Sequence, residues 1–317
     1  MVDKQWDTPP KYTTTDLIQR QSLPLEQKIL LSKKRIREWW DENDGMVYTS
    51  FSGGKDSTVL KDLVDKTLGK GQVPTVFIDT GLEYPDVREN ALQNADIVVK
   101  PEKSFRKVVM ELGYPVASKE IAKKVYYARK GSPWALQYLR GERVGPDGKK
   151  SQFNVPLKWR KLENAPFQVS ARCCDELKKK PVRKFERQHK RKPYLGLLAD
   201  ESSVRKQAWR RTGCNSKGKH SAPLSVWTEK DIARYIKENN LKIPKIYGEV
   251  TGDYEFTGVN RTGCMFCMFG VHLEKNPNRF QHMKKHYPKQ WEYCMKPVEE
   301  GGLGCKQVLD FIGVESE

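Results

Sequence analysis

The chain has 317 residues, 37% of them hydrophobic and 10% aromatic, so it can bury a core and is not an intrinsically disordered segment. Lys and Arg number 58 against 40 Asp and Glu, and the resulting net charge of +18 favours polyanionic partners such as nucleic acid or phosphorylated nucleotides. No apolar run reaches membrane-span length, the N-terminal MVDKQWDTPP lacks the apolar stretch of a signal peptide, and seven cysteines, an odd number, speak against a disulfide framework. A cytoplasmic protein with metal or redox chemistry is the expectation.

In chain order, an amphipathic helix is expected over residues 25–40, with Leu25, Ile29, Ile36 and Trp40 at helical spacing and the Asn43-Asp44-Gly45 turn closing it. Residues 46–51 (MVYTSF) read as a buried strand, and a Gly-Gly turn then opens a helix over 57–68. A strand over 73–79, a helix over 86–94 and a short strand over 97–99 follow. Such alternation implies an α/β fold with a parallel sheet and crossover helices. Residues 131–171 show no clear period and read as a long excursion. Residues 194–198 look like another buried strand, and 229–240 like an amphipathic helix with Thr228 as its cap. From Arg261 the chain turns rich in Cys, Met, Phe and His, then helical. Three regions are expected: an N-terminal helical segment (1–45), an α/β domain (46–260) and a small Cys-rich helical cap (261–317). No repeat of domain size occurs, although Arg211-Thr-Gly-Cys214 is echoed by Arg261-Thr-Gly-Cys264.

Ser52-Gly53-Gly54-Lys55-Asp56-Ser57 lies between an expected strand and an expected helix. Two glycines let the backbone approach an anion, and the helix start offers unpaired N–H groups and a partial positive charge. Ser52 and Ser57 add hydroxyls and Lys55 a charge; the Walker spacing is absent. Lysines and arginines from Lys178 to Lys192 crowd one segment with only Glu186 opposing them, more charge than a mononucleotide needs.

SGGKDS resembles the PP-loop of the adenine nucleotide α-hydrolase superfamily, and Phe77-Ile-Asp79-Thr80-Gly81-Leu-Glu83-Tyr-Pro85 resembles the second-strand motif of its APS/PAPS reductase branch. Residues 196–205 (GLLADESSVR) are similar to that branch's Gly-x-Arg-x-Asp-Gln-Ser-x-x-Arg segment, ending at Arg205, with Leu198 where the first arginine stands. Residues 223–232 (PLSVWTEKDI) resemble its Pro-Leu-x-x-Trp-Thr helix entry, an architectural feature. The resemblance implies a doubly wound, Rossmann-like PP-loop fold. It also implies adenine-nucleotide binding by Ser52, Gly53, Gly54, Lys55, Asp56, Ser57, Asp79, Thr80, Gly81 and Arg205, with Asp56, Lys55 and Lys178 in catalytic roles.

Assimilatory APS reductases carry a Cys-Cys…Cys-x-x-Cys set that holds a [4Fe–4S] cluster. The resemblance implies the same role for Cys173, Cys174, Cys264 and Cys267, with Lys178 as the nearby basic residue. Zinc is the alternative, since Cys264-x2-Cys267 and His282-x3-His286 satisfy a finger spacing, though it leaves Cys173 and Cys174 unexplained. Adjacent cysteines point apart in most backbone conformations, so both can ligate only across a bend, and Cys214 stands as a possible substitute.

Two reactions share this scaffold. Reduction of APS or PAPS uses a C-terminal cysteine in an acidic–Cys–Gly–Leu–His context, and Gly304-Cys305-Lys306 lacks that context. ATP with Mg²⁺ would instead adenylate an acceptor before sulfur replaces the oxygen, as in relatives that thiolate tRNA or serve DNA phosphorothioation. The charge favours this second reaction, with tRNA or DNA as acceptor and a sulfur-donor protein such as a cysteine desulfurase as partner. A nucleic-acid-binding regulator without chemistry is a third reading, against which the intact SGGKDS speaks.

Overall fold

The structure, a computed structural model, describes residues 9–317. Residues 1–8, most of the stretch read against a signal peptide, lie outside the described residues. Helix α1 (Thr14–Gln21), which no periodicity announced, starts on a capping box: Thr13 Oγ1 accepts the Asp16 amide and the Asp16 carboxylate accepts that of Thr13. Helix α2 (Leu25–Glu42) stands where it was expected, but its buried stripe runs through Leu25, Lys28, Ser32, Ile36 and Trp39 rather than through Ile29 and Trp40. Lys28 and Ser32 can lie inside because each has partners. Lys28 Nζ is 2.7 Å from Asp231 Oδ2. Ser32 Oγ donates to the Pro223 carbonyl and accepts from Trp227 Nε1, each at 2.9 Å.

The chain then runs through β1 (Val47–Ser50), α3 (Lys55–Leu68), β2 (Thr75–Ile78), α4 (Pro85–Asn94) and β3 (Ile97–Val99). Next come α5 (Phe105–Leu112), β4 (Val116–Ala117), α6 (Lys119–Ala128), α7 (Pro133–Arg140) and α8 (Leu157–Arg160). The stretch 131–171 is therefore not an aperiodic excursion: α7 begins with Pro133 and ends on Gly141 in the left-handed region, and α8 follows it. A π turn (Asp175–Lys179) leads into α9 (Lys180–His189).

Strand β5 is Lys192–Tyr194, two residues before the expected 194–198, whose remainder is irregular. Then follow α10 (Ser203–Thr212), β6 (Asn215–Ser216), β7 (His220–Ser221), α11 (Glu229–Glu238), β8 (Met268–Phe269), α12 (Arg279–His286), α13 (Pro288–Met295) and α14 (Cys305–Ile312). Thr228 caps α11 as expected.

The main sheet has the order β3-β2-β1-β5-β7-β6, parallel except for β6, which runs antiparallel to β7. This is the doubly wound α/β architecture read from the sequence. The order reverses between β1 and β5, and ligands of such sheets bind beyond the strand carboxyl ends at that switch point. A second, two-stranded parallel sheet pairs β4 with β8.

Two compact units divide the chain differently from the three linear regions expected. Unit 1 holds the described residues up to Asp79, with Tyr84–Lys100 and Val182–Thr262; it contains the main sheet, and α1 and α2 belong to it rather than forming a segment apart. Unit 2 holds Thr80–Glu83, Pro101–Pro181 and Gly263–Glu317. The C-terminal helices thus share their unit with the middle of the chain, because β4 forms its ladder with β8 and Arg106 donates to the carbonyls of Val298 and Gly302 at 2.9 and 3.2 Å. Among the described residues no helix is long and apolar enough to cross a membrane.

Breaking a buried ion pair by removing one partner costs about 3–5 kcal/mol. Asp231 keeps the Thr228 amide and hydroxyl, so Lys28→Met is expected to lower the urea-unfolding free energy by about 3 kcal/mol, whereas Lys70→Met on the surface changes it by less than about 0.5. A loss for Lys28→Met as small as that for Lys70→Met would remove the pair from the list of stabilising contacts.

Candidate functional site

The phosphate loop sits in unit 1 at the carboxyl end of β1. Gly53 has φ +78°, and a Cβ there would lie 2.2 Å from the Val87 carbonyl and 2.8 Å from the Ala91 Cβ on α4. Only glycine fits so close to that helix. Asn90 Nδ2 donates to the Gly53 carbonyl at 2.8 Å and fixes the peptide. A Cβ on Gly54 would meet the Tyr247 hydroxyl at 2.8 Å. Gly196 approaches the start of α3 from the other side, with its Cβ position 3.2 Å from the Asp56 carbonyl.

These glycines hold the first turn of α3 with its donors facing outward. The Ser52 amide donates to Ser57 Oγ at 3.3 Å and the Gly54 amide to Ser52 Oγ at 3.4 Å, both long. The Lys55 amide donates to the Tyr247 hydroxyl, which also pairs with Thr262 Oγ1 at 2.8 Å. Among the described residues the amides of Gly53, Asp56 and Ser57 have no hydrogen-bond partner. A helix N-terminus with three unpaired N–H groups and an exposed Ser52 is an anion seat.

Lys55 does not reach into that seat. It is buried, and Nζ lies 2.7 Å from Glu229 Oε1 and 3.0 Å from Asp56 Oδ1, with the rings of Phe256 and Tyr247 at 5.3 and 5.8 Å. The expected phosphate-binding charge is neutralised by two carboxylates instead. Burial pushes the Asp56 carboxyl up while Lys55 pulls it down, and Glu229 and Glu201 add to the rise. Burial likewise pushes the Tyr247 phenol up to about 12. Glu229 belongs to the Pro-Leu-x-x-Trp-Thr helix entry taken as architectural, and Tyr247 stood in no motif; neither was singled out from the sequence.

The expected adenosine motif is split. Asp79, in unit 1, is buried and takes Arg88 Nε and Nη2 at 2.8 and 2.7 Å, a two-point pairing that orients both side chains. Thr80 and Gly81 belong to unit 2, where Thr80 Oγ1 donates to Glu83 Oε1 at 2.7 Å and the Leu82 carbonyl accepts the Met265 amide at 2.7 Å. Arg205 is ion-paired to Glu201, which also takes Arg261 at 2.5 Å and the Leu198 amide at 3.1 Å. Leu198, standing for arginine, is buried against a cavity of about 370 Å³ that Arg205, Trp209 and His220 also line.

The four cysteines expected as ligands meet in unit 2. Cys173, Cys174, Cys264 and Cys267 line one small cavity with Leu82, Phe105, Pro115, Leu177 and Lys178. Cys173 and Cys174 occupy a helical turn directly ahead of the π turn, with Cys174 in ordinary right-handed helical conformation, and both line the cavity. The Cys174 thiol is pulled down to about 6 by the hydrogen bond from Cys173, against burial, with Lys119, Lys178 and Lys179 adding to the fall; the same bond pushes the Cys173 thiol up. Burial raises Cys264 against the Lys178 ammonium bonded to it, and raises Cys267 against the Phe269 amide. Burial acts against the Lys178 charge too, but Cys264, Glu83 and Cys174 outweigh it and raise its pKa.

Four sulfur donors and a cation in an apolar pocket free of hard oxygen ligands fit an iron–sulfur cluster. Among the described residues no three His, Cys, Asp or Glu side chains are drawn together to hold a single metal ion. His282 and His286 stack on each other at 4.3 Å and do not line the cysteine cavity, and Cys214 accepts from Ser225 Oγ at 3.2 Å in unit 1. Cys294 and Cys305 are buried elsewhere in unit 2. Of the Lys178–Lys192 cluster, Lys178 is occupied by Cys264, Lys179 and Lys180 pair with Asp175 and Glu176, and Arg191 donates to the Val47 carbonyl; Arg183, Lys184, Arg187 and Lys190 remain exposed.

A family model described as the phosphoadenosine phosphosulfate reductase domain matches residues 46–127 and 146–269. Two uncharacterized proteins of Methanocaldococcus jannaschii are 25% identical to this chain. One aligns over 263 residues, 81% of this chain and 42% of its own length, and the other over 289 residues, 90% and 55%. Sulfate adenylyltransferase subunit 2 of Mycolicibacterium gilvum is 30% identical over 202 residues, 62% of this chain and 56% of that protein. The chain spans about half the length of the curated relatives it matches. A solved phosphoadenylyl-sulfate (PAPS) reductase from Candida auris, in complex with phosphate, aligns at a TM-score of 0.37 and 14% identity, covering 71% of this chain and 91% of that one.

Two outcomes follow from this geometry. Gly53→Ala is expected to weaken pyrophosphate binding, measured by calorimetry, by about tenfold or more, the equivalent of roughly 1.4 kcal/mol; unchanged affinity would mean that the anion sits elsewhere. In iron-free protein, iodoacetamide should modify Cys174 with a half-point near pH 6, while Cys173, Cys264 and Cys267 are labelled only at higher pH than an ordinary thiol, as read by peptide mass spectrometry. Equal labelling of all four at one pH would contradict that ordering.

Proposed function

This chain belongs to the phosphoadenosine phosphosulfate reductase domain family, and from that premise we propose that it is an iron–sulfur enzyme that uses ATP to insert sulfur into nucleic acid. The observation that carries the reading is the trio of unpartnered amides, Gly53, Asp56 and Ser57, at the switch point of the sheet. Those amides and the Ser52 hydroxyl bind the nucleotide phosphates, and the Asp56 carboxylate takes the accompanying Mg²⁺. An acceptor oxygen of tRNA or DNA attacks the α-phosphorus, the bond to the β-phosphate breaks and pyrophosphate leaves. The sulfur arrives as the persulfide of a donor protein such as a cysteine desulfurase. Its outer sulfur attacks the activated atom, and the adenylated oxygen departs as AMP. A thiol then cleaves the resulting S–S bond, being itself oxidised to a disulfide as the thiolated product is released.

Cys173, Cys174, Cys264 and Cys267 would hold a [4Fe–4S] cluster, which when bound supplies a redox-active, sulfur-handling centre. Lys178 holds a positive charge at Cys264 and draws anionic groups to the cavity. ATP is favoured over a sulfonucleotide by the +18 charge, which suits a polymer acceptor, and by similarity to a relative whose name states adenylyl transfer. Cys305, fully buried at the first residue of α14, is in no position to act as a mobile nucleophile on sulfur. Seven free cysteines suit a reducing, cytoplasmic compartment.

Protein purified without oxygen should be brown, contain iron, and release pyrophosphate from ATP and Mg²⁺ slowly alone and faster with nucleic acid. Asp56→Ala should slow that release about a hundredfold or more with iron retained, and Cys267→Ser should lose the iron. Sulfite released from APS with thioredoxin, and no pyrophosphate from ATP, would make the protein a reductase. Neither product, with tight nucleic-acid binding, would make it a regulator. Colourless protein containing zinc would overturn the cluster.

A further inference from the structure

The family match passes over residues 128–145, which hold α7 and both its flanks, so this part of unit 2 is not accounted for by the family. It pairs with α6 into a helical hairpin that carries a continuous run of rings. Tyr126 contacts Tyr127 at 5.3 Å between centroids, Tyr127 contacts Trp134 at 5.7 Å, and Trp134 contacts Tyr138 at 6.2 Å. The inner rings are anchored: Lys130 Nζ lies 4.5 Å over Tyr126, and Lys124 Nζ lies 4.7 Å over Tyr138. The outer rings are not covered, Tyr127 being 40% and Trp134 41% exposed. Phe153, 62% exposed, is tied to the same hairpin through its carbonyl, which accepts Lys124 Nζ at 2.6 Å.

Exposed rings on a helical hairpin call for a partner, and the charge around them says which kind. Over residues 119–160 eight exposed lysines and arginines, among them Lys123, Lys130, Arg140, Arg143, Lys149 and Lys150, face only three carboxylates. Among the described residues no ion pair joins any of these cations to an acidic side chain. The Val144–Lys150 bridge closes a small turn that presents Arg143, Lys149 and Lys150 together. Rings that accept stacking from any base, bordered by unpaired cations, match the chemistry of a flexible single strand rather than of a protein face or a stacked duplex.

We propose that the α6–α7 hairpin and the turn after it are a docking surface for single-stranded nucleic acid, whose bases stack on Tyr127, Trp134 and Phe153 while Arg143, Lys149 and Lys150 hold its phosphates. The proposal deepens the reading of nucleic acid as the sulfur acceptor and rests on it. The hairpin also touches the segment that carries the first cysteines of the thiol cavity: Arg172, next to Cys173, donates to the Tyr126 hydroxyl at 3.5 Å. Pro115 lines that cavity, β4 follows it and pairs with β8 directly after Cys267, and α6 begins two residues after β4.

The test is fluorescence anisotropy with iron-replete, full-length protein and labelled oligo-uridylate, oligo-thymidylate and duplex probes of about 12 units. One or both single strands should bind more tightly than the duplex, and the tighter of the two identifies RNA or DNA as the partner. Trp134→Ala combined with Phe153→Ala should weaken that binding at least about tenfold, with circular dichroism, melting temperature and iron content unchanged. Lys149→Gln with Lys150→Gln should lower the slope of log affinity against log salt by about one for each lysine. Duplex bound as tightly as single strand, or a ring variant that binds like the parent, would overturn the proposal. The ring variant should retain the slow pyrophosphate release seen without nucleic acid. Release with no oligonucleotide binding therefore refutes the docking surface alone, whereas binding with no release refutes the ATP reading and leaves the surface standing.

Discussion

The constraint on which the nucleotide site depends is the contact between Gly53 and α4. A backbone that passes 2.2 Å, in Cβ terms, from the Val87 carbonyl has no room for any side chain. The amides of Gly53, Asp56 and Ser57 are left without a hydrogen-bond partner among the described residues. Asn90 from the same helix secures the Gly53 carbonyl, so the loop is held from one side and open on the other. Gly54 against Tyr247 and Gly196 against Asp56 repeat the principle on two further flanks. The loop is thus a shape imposed by three close approaches rather than a flexible glycine tract, and the pre-ordering removes entropy that a phosphate would otherwise have to overcome.

Charge at the loop is arranged in a way that local sequence could not reveal. A lysine next to paired glycines reads as a phosphate ligand, yet Glu229, from a helix far along the chain, takes its ammonium. The effect is to leave the phosphates to neutral backbone donors and the helix dipole, with buried Lys55 held between the partly exposed carboxylates of Asp56 and Glu229. Lys28 with Asp231 and Ser32 with Trp227 show the same limitation: a buried stripe containing lysine and serine is invisible to hydrophobic periodicity because the partners that make burial tolerable lie about two hundred residues away.

Other features were legible for physical reasons. Strands β1, β2 and β3 follow β-branched and aromatic runs, and the alternation of strand and helix was enough to imply the parallel sheet. Strand β5 was displaced because Lys192 and Pro193 look unlike a central strand, while the apolar run at Leu197 and Leu198 lines a cavity wall instead. Helix α7 has a proline start and a glycine stop, but only Ala135 and Leu139 are buried in it, too few positions for a period to show. The cysteine quartet was legible from spacing and resemblance; the helical turn that carries Cys173 and Cys174 and the π turn after it were not, since nothing in Asp175–Lys179 distinguishes it from an ordinary helix.

Unit 2 is woven from three separate stretches of chain. Translation delivers these stretches in order, so Cys173 and Cys174 leave the ribosome well before Cys264 and Cys267 exist. The strand partner of β4 arrives equally late. During that interval Cys173 and Cys174 lack the folded contacts that set their two thiols apart, and they are open to oxidation or to capture by a stray metal ion. The shared cavity of the four cysteines therefore exists only after residues 263–267 have been made and have closed over the earlier pair.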